Sequence, residues 1–204
     1  MINPTACHEA GHAVTGLLLD CRVTSVNMHL DGGGVTTVDA TPWRGCRVVV
    51  AGAIAEKLLL PPGLVEARRP LSGADREHAF ERAMAFVLWS ESRGIARRLA
   101  PVASTETPVI VPVLDARGKA EAVAFVATIN EKLRPRREQR ARKLVLHAED
   151  SVTALLARNI VVLRVIAVRL SQVGILGEDE LLQLFETGKA AQAADDLEWK
   201  GKRA

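Results

Sequence analysis

Tyrosine is missing from this 204-residue chain, and all aromatic residues together make up only 3% of it. A core without large rings must be filled by Ala, Val, Leu and Ile, a set that favours helices packed closely together. Cysteine is scarce as well. Cys7, Cys21 and Cys46 are odd in number and unpatterned, which excludes a disulfide scaffold and points to a reducing, cytoplasmic setting. The most apolar stretch, 152–170, is interrupted by Arg158, Arg164 and Arg169, so it reads as a core helix and not a membrane span. Residues 1–12 are too polar for a signal peptide. Lys and Arg number 27 against 24 Asp and Glu, and a net charge of +3 does not by itself imply a nucleic-acid partner. The basic cluster Arg134, Arg136, Arg137, Arg140, Arg142 and Lys143 has no interleaved aromatics for base stacking and reads as a solvated helix face. What remains is an ordinary globular composition, 48% hydrophobic and 25% charged.

Against this plain background one stretch carries chemistry: His8-Glu9-Ala10-Gly11-His12. Side chains four apart share a helix face, so His8 and His12 can both reach one Zn²⁺, while Glu9 beside them can act on a water as a base. Asn3-Pro4 supplies an N-cap and a first-turn proline, and Ala6, Ala10, Ala13, Val14, Leu17 and Leu18 continue the helical spacing to about Leu19. Gly11 costs a helix interior roughly 1 kcal/mol against alanine, which makes sense where something packs closely on the backbone between the two histidines.

Downstream, Arg22–Met28 and Val35–Ala40 are β-prone runs joined by Asp31-Gly32-Gly33-Gly34, a hairpin with a glycine-rich turn. The glycine run lacks the Lys-Ser/Thr ending of a phosphate loop. A second helix is expected over Arg44–Leu60, stopped by Pro61-Pro62-Gly63, and a loop to Ser72 follows. Ser72 and Asp75 resemble a capping box that opens a third helix over Ala74–Arg93, with Ala79, Ala83, Phe86 and Val87 at helical spacing. Ala100–Arg117 is the least regular part and reads as a loop or flap. Helices are expected over Lys119–Leu133, Arg136–Ala157 and Val161–Leu170, with a break at Pro135. Gly174 and Gly177 mark a turn before a last helix, Asp179–Phe185. Residues 1–187 form one domain in this reading, and 188–204 a polar, flexible tail.

A catalytic zinc takes three protein ligands and keeps one open position. HExxH supplies two, and the third must come from elsewhere: Asp75, Glu56, His29 and His78 are the candidates. Asp75 lies at a helix start, where capping and the helix dipole account for a carboxylate without any metal, and on the residues alone that structural role is the better account. Glu56 lies among small apolar residues, and a buried carboxylate needs a partner, for which a histidine ring N–H is suited.

The string HEAGHAV at 8–14 resembles the peptidase domain of FtsH-type AAA zinc metalloproteases. Three further segments agree in order. Ala51-Gly52-Ala53-Ile54-Ala55-Glu56-Lys57 resembles the family's small-residue helix, and Ser72-Gly73-Ala74-Asp75 the opening of its aspartate helix. Leu155-Leu156, Asn159, Leu163, Ala167, Leu170, Leu176-Gly177 and Glu180-Leu181 resemble its C-terminal helical hairpin. The likeness spans about residues 6–185. Ala53 stands where the family has arginine, Lys57 replaces an acidic residue, and the chain has no Walker motif or AAA module.

The resemblance implies a mainly α, helical zincin-like peptidase domain with a small β-hairpin after the first helix. It implies zinc held by His8, His12 and Asp75, with Glu9 as the catalytic base. The expected activity is zinc-dependent endopeptidase action on peptides or on unfolded or flexible polypeptide. Any unfolding would fall to a separate AAA ATPase subunit, and an oligomer is open. The alternative is a catalytically inactive binding or regulatory module that keeps the fold.

Overall fold

A computed structural model describes residues 2–29, 32–66, 73–103 and 116–201, with side chains over 2–29, 32–64, 74–93 and 127–197. Among the described residues the order is α1 (Pro4–Leu18), β1 (Arg22–Met28), β2 (Gly34–Asp39), α2 (Pro42–Leu59), α3 (Pro62–Glu66), α4 (Gly73–Ala103), α5 (Ala116–Arg158), α6 (Ile160–Val173), β3 (Ile175–Gly177) and α7 (Glu178–Gly201). The fold is mainly α with a small antiparallel sheet after the first helix, as expected.

The Asn3 side chain accepts from the Thr5 amide at 2.8 Å, and Pro4 follows it, so α1 starts where its cap dictates. α1 packs lengthwise on α2, and small residues set how closely. A Cβ on Gly11 would lie 2.5 Å from the Ala51 carbonyl oxygen and 2.6 Å from the Ala55 methyl. The helix backbones meet there, which accounts for a glycine inside a helix. Gly52 does the same in reverse, because a Cβ there would run into the His8 ring. Two glycines on facing helices thus create the slot in which His8 sits.

The sheet order is β2-β1-β3. β1 pairs with β2 from Arg22↔Asp39 to Met28↔Gly34, with an irregularity between Val23 and Ser25. β3 pairs with the other side of β1, at Ser25↔Gly177 and Asn27↔Ile175. β2 is therefore an edge strand. Its exposure alternates, with Gly34, Thr36 and Val38 turned partly inward. Ala79, Ala83 and Val87 are fully buried along α4, joining Val50, Ala51 and the α6 residues Leu163, Ile166 and Leu170 in one core.

Several expected boundaries shift. α2 begins at Pro42, two residues early, because proline suits a first helical turn. Pro62–Glu66 is a short helix inside the expected loop. α4 continues past Arg93 to Ala103. Pro135 does not break α5. A proline removes one backbone bond to the residue four before it, and Glu131 is exposed, so water can satisfy that carbonyl. The turn at Gly174–Gly177 contains β3, and helix continues through 188–201. Gly188 is buried against Val162, and Gln192 Oε1 accepts from the Val161 amide at 3.1 Å, which ties that segment to α6. Ser72 of the expected capping box and 104–115 of the expected flap lie outside the described residues. No single helix among the described residues is long and apolar enough to cross a membrane.

Candidate metal centre

His8 and His12 project from one turn of α1, with ring centroids 4.7 Å apart and planes at 81°. Each ring is held by its Nδ1 atom. His8 Nδ1 bonds Glu56 Oε1 at 2.7 Å, and His12 Nδ1 bonds the Val48 carbonyl oxygen at 2.7 Å. A carbonyl can only accept, so His12 carries its proton on Nδ1 and its Nε2 holds a free lone pair. Glu56, as a carboxylate, imposes the same tautomer on a neutral His8. Both acceptors come from α2, eight residues apart, and the close α1–α2 packing brings them within reach.

Asp75 sits in the first turn of α4, and its Oδ2 lies 3.1 Å from His8 Nε2. The His8, Glu56 and Asp75 side chains are 17%, 13% and 16% exposed, largely buried along the wall of a cavity. That cavity has a volume of about 780 Å³ and lies between α1, β2, α2 and the start of α4. Ligand-capable atoms of His8, Glu9 and His12 all fall within 4.8 Å of one another.

Glu9 is only 5% exposed. Thr36 Oγ1 donates to its Oε2 at 2.6 Å and also lies 3.2 Å from its backbone oxygen. A Cβ on Gly34 would come within 2.6 Å of Glu9 Oε1, so the strand passes the carboxylate without a side chain in between. Thr5 Oγ1 donates to the Gly32 carbonyl at 2.7 Å and pins the hairpin turn to α1.

The electrostatics are those of a cation site. Burial disfavours a charged His8, but hydrogen bonds to Asp75 and Glu56 and the charges of both outweigh it and raise its pKa from 6.5 to about 9. Without another cation, a proton takes that place. His12 is pushed the other way, first by burial and then by the positive charge on His8, against the opposing pull of Glu9, the Val48 carbonyl and Asp75.

All four residues expected from the sequence line this cavity: His8, Glu9 and His12 form the close group, and Asp75 stands beside His8 alone. Of the other candidates, Glu56 bonds the back of His8, and His78 lines the cavity one turn beyond Asp75. His29 is exposed, pairs through its backbone with Gly32 and Gly33, and does not line the cavity. Sequence reasoning does not reach Thr36 or the Val48 carbonyl. Strand alternation could have suggested Thr36; a backbone carbonyl has no side-chain signature.

Residues 1–61 match the family model described as Peptidase M50B-like. The M50B-like match runs from α1 through the hairpin to the end of α2, less than a third of the 204 residues. It supports a metallopeptidase. It is a different family from the FtsH-type proteases, so the metallopeptidase level is what the match and the resemblance share. No curated protein matches the chain.

The donor set fits a zinc ion. Two imidazoles with occupied Nδ1 atoms, plus a carboxylate close to one Nε2, form the nitrogen and oxygen set that zinc takes when one position stays open, once the ion displaces the proton from His8.

Proposed function

We propose that the chain is a zinc-dependent endopeptidase acting on peptides or on unfolded or flexible polypeptide. The observation that carries the reading is the opposed locking of the two rings. Glu56 and the Val48 carbonyl engage both Nδ1 atoms, which leaves His12 Nε2 open and turns His8 Nε2 toward Asp75 Oδ2, where a metal ion would replace the shared proton. His8, His12 and Asp75 would hold Zn²⁺, which when bound supplies Lewis acidity toward water and toward a scissile carbonyl.

Glu9 takes a proton from the attacking water and passes it to the leaving nitrogen. Thr36 holds one of its carboxylate oxygens and so fixes the orientation of the other. Among the described residues β2 is the outer strand of the sheet and runs along the cavity, suited to aligning an extended peptide as an added strand. That geometry favours chains that are already unfolded.

The finer, FtsH-type reading rests on Asp75. This residue lies beyond the matched segment, at the start of the helix where the resemblance expects a ligand, and it stands beside His8. On that reading folded substrates need a separate AAA ATPase subunit. The direct test replaces Glu9 with Gln. Zinc content should stay stoichiometric while cleavage of an unfolded substrate is lost, and cleavage continuing at the original rate contradicts the assignment.

A further inference from the structure

Beyond the metal centre, the cavity has a wall whose chemistry is unlike the rest. Val38, Ala40, Val48 and Val49 give it an apolar lining, and Gly45 and Arg82 complete it. Asp75, His78 and Arg82 are spaced three and four apart on α4, so they form one stripe facing the cavity. The stem of Arg82 lies over Gly45. A Cβ there would stand 3.4 Å from Arg82 Cδ and 3.6 Å from its Nε, so the bare glycine backbone provides the bed for the side chain.

Arg82 is the one Lys or Arg among the described residues lining the cavity. Among the described residues it also has no ion-pair or hydrogen-bond partner. Its side chain is exposed, so the guanidinium stands at the mouth of the wall, open to a ligand that enters from solvent. A guanidinium at an apolar wall is a fork waiting for two oxygens.

Strand geometry sets where that wall falls on a substrate. Same-face residues along a strand recur every ~6.6–6.8 Å. Thr36 holds the catalytic carboxylate and Val38 is the next inward residue, so the wall lies about one such repeat from the reacting centre. The Val48 carbonyl ties the same wall to His12.

We infer that this wall is a specificity subsite for an acidic side chain close to the scissile bond, with Arg82 as the residue that reads it. The inference rests on the endopeptidase reading and narrows its substrate class: extended peptides carrying Glu or Asp next to the cut. Val38, Val48 and Val49 pack the methylenes of such a side chain, and Arg82 takes its carboxylate in a forked pair. Arg82 is a specificity residue and does not touch the reacting atoms.

The test uses zinc-loaded full chain carrying Glu9→Gln to prevent turnover. Fluorescent peptides identical except for Glu, Gln or Lys at one position are titrated by anisotropy. Glu should bind roughly tenfold tighter than Gln, the scale of a hydrogen-bonded charge, and Lys weakest. Adding Arg82→Gln should bring the Glu-to-Gln ratio close to one, and Arg82→Glu should reverse the order of Glu and Lys. Thermal melts and zinc content accompany each variant. Should Arg82→Gln not fold, the preference of the Arg82-containing protein decides alone. No preference for Glu, or a preference surviving Arg82→Gln, overturns the inference. Cleavage-site mapping with active protein separates the two readings. Cuts that depend on Glu9 but ignore acidic residues sink the subsite alone, whereas acid-selective binding with cleavage indifferent to Glu9 sinks the endopeptidase reading alone.

Discussion

The first sixty residues and the α4–α5 pair are built on opposite plans. In the first, α1, the hairpin and α2 approach closely through Gly11, Gly34 and Gly52, and His8, Glu9 and His12 each have a defined hydrogen-bond partner there. In the second, long helices carry exposed charges and ion pairs between side chains, such as the half-buried Arg137 and the exposed Arg140 on Glu91. Chemistry follows the first plan, because a metal centre needs its donors fixed to within a fraction of an ångström, and only packed backbone does that. The long pair contributes to the site through one end, the first turns of α4. A change of similar size should therefore have very different consequences in the two regions.

The largest effect is expected at Glu9. Glu9→Gln should lower kcat by roughly 10²–10⁴-fold with zinc retained, measured on an unfolded substrate. At Asp75, alanine should weaken zinc binding by more than the roughly 10–100-fold typical of losing an outer partner, read in a chelator competition. Glu56→Ala should fall within that 10–100-fold range, since it frees the His8 ring without removing a donor. Equal losses for the two would mean that Glu56 is itself a ligand.

A pH series sharpens the same contrast. His8 is raised from 6.5 to about 9 in the metal-free fold, so its charged form favours folding. That contribution is complete below about pH 6.5 and is lost as pH climbs through 9. Metal-free protein should show a urea midpoint falling across this window, while zinc affinity rises as the competing proton leaves. An unchanged midpoint would show that His8 carries no such proton.

Packing comes next. Gly11→Ala places a methyl against Ala51 and Ala55 and should cost roughly 1–3 kcal/mol in a denaturant melt, with zinc affinity reduced as α1 and α2 part. Glu91→Ala, in the other region, removes two ion pairs and should cost about 1 kcal/mol or less, with zinc binding unaltered.

Much of this architecture is legible in the amino-acid sequence. The helix cap, the hairpin, the apolar face of α4 and the need for close packing at Gly11 all follow from local pattern, and the mainly α fold follows from their sum. Pro135 misleads because the cost of a proline depends on whether water reaches the carbonyl it strands. β3 escapes notice because three residues are too few to show a period of two. Thr36 and the Val48 carbonyl act through tertiary placement: strand alternation turns Thr36 inward without saying what it meets, and a backbone carbonyl carries no signature at all. The carboxylate of Asp75 reaches His8 from 67 positions away in the chain, and only resemblance to a family singles it out among the alternatives.

The central claim is that two imidazoles of α1 and the α4 carboxylate hold one zinc ion. Zinc K-edge absorption on stoichiometrically loaded protein measures this most directly. The account predicts a first shell of nitrogen and oxygen with the outer scattering of two imidazoles, and loss of stoichiometric zinc when His8 or His12 becomes alanine. A shell without imidazole scattering, or a spectrum and zinc content unchanged by those substitutions, would contradict it.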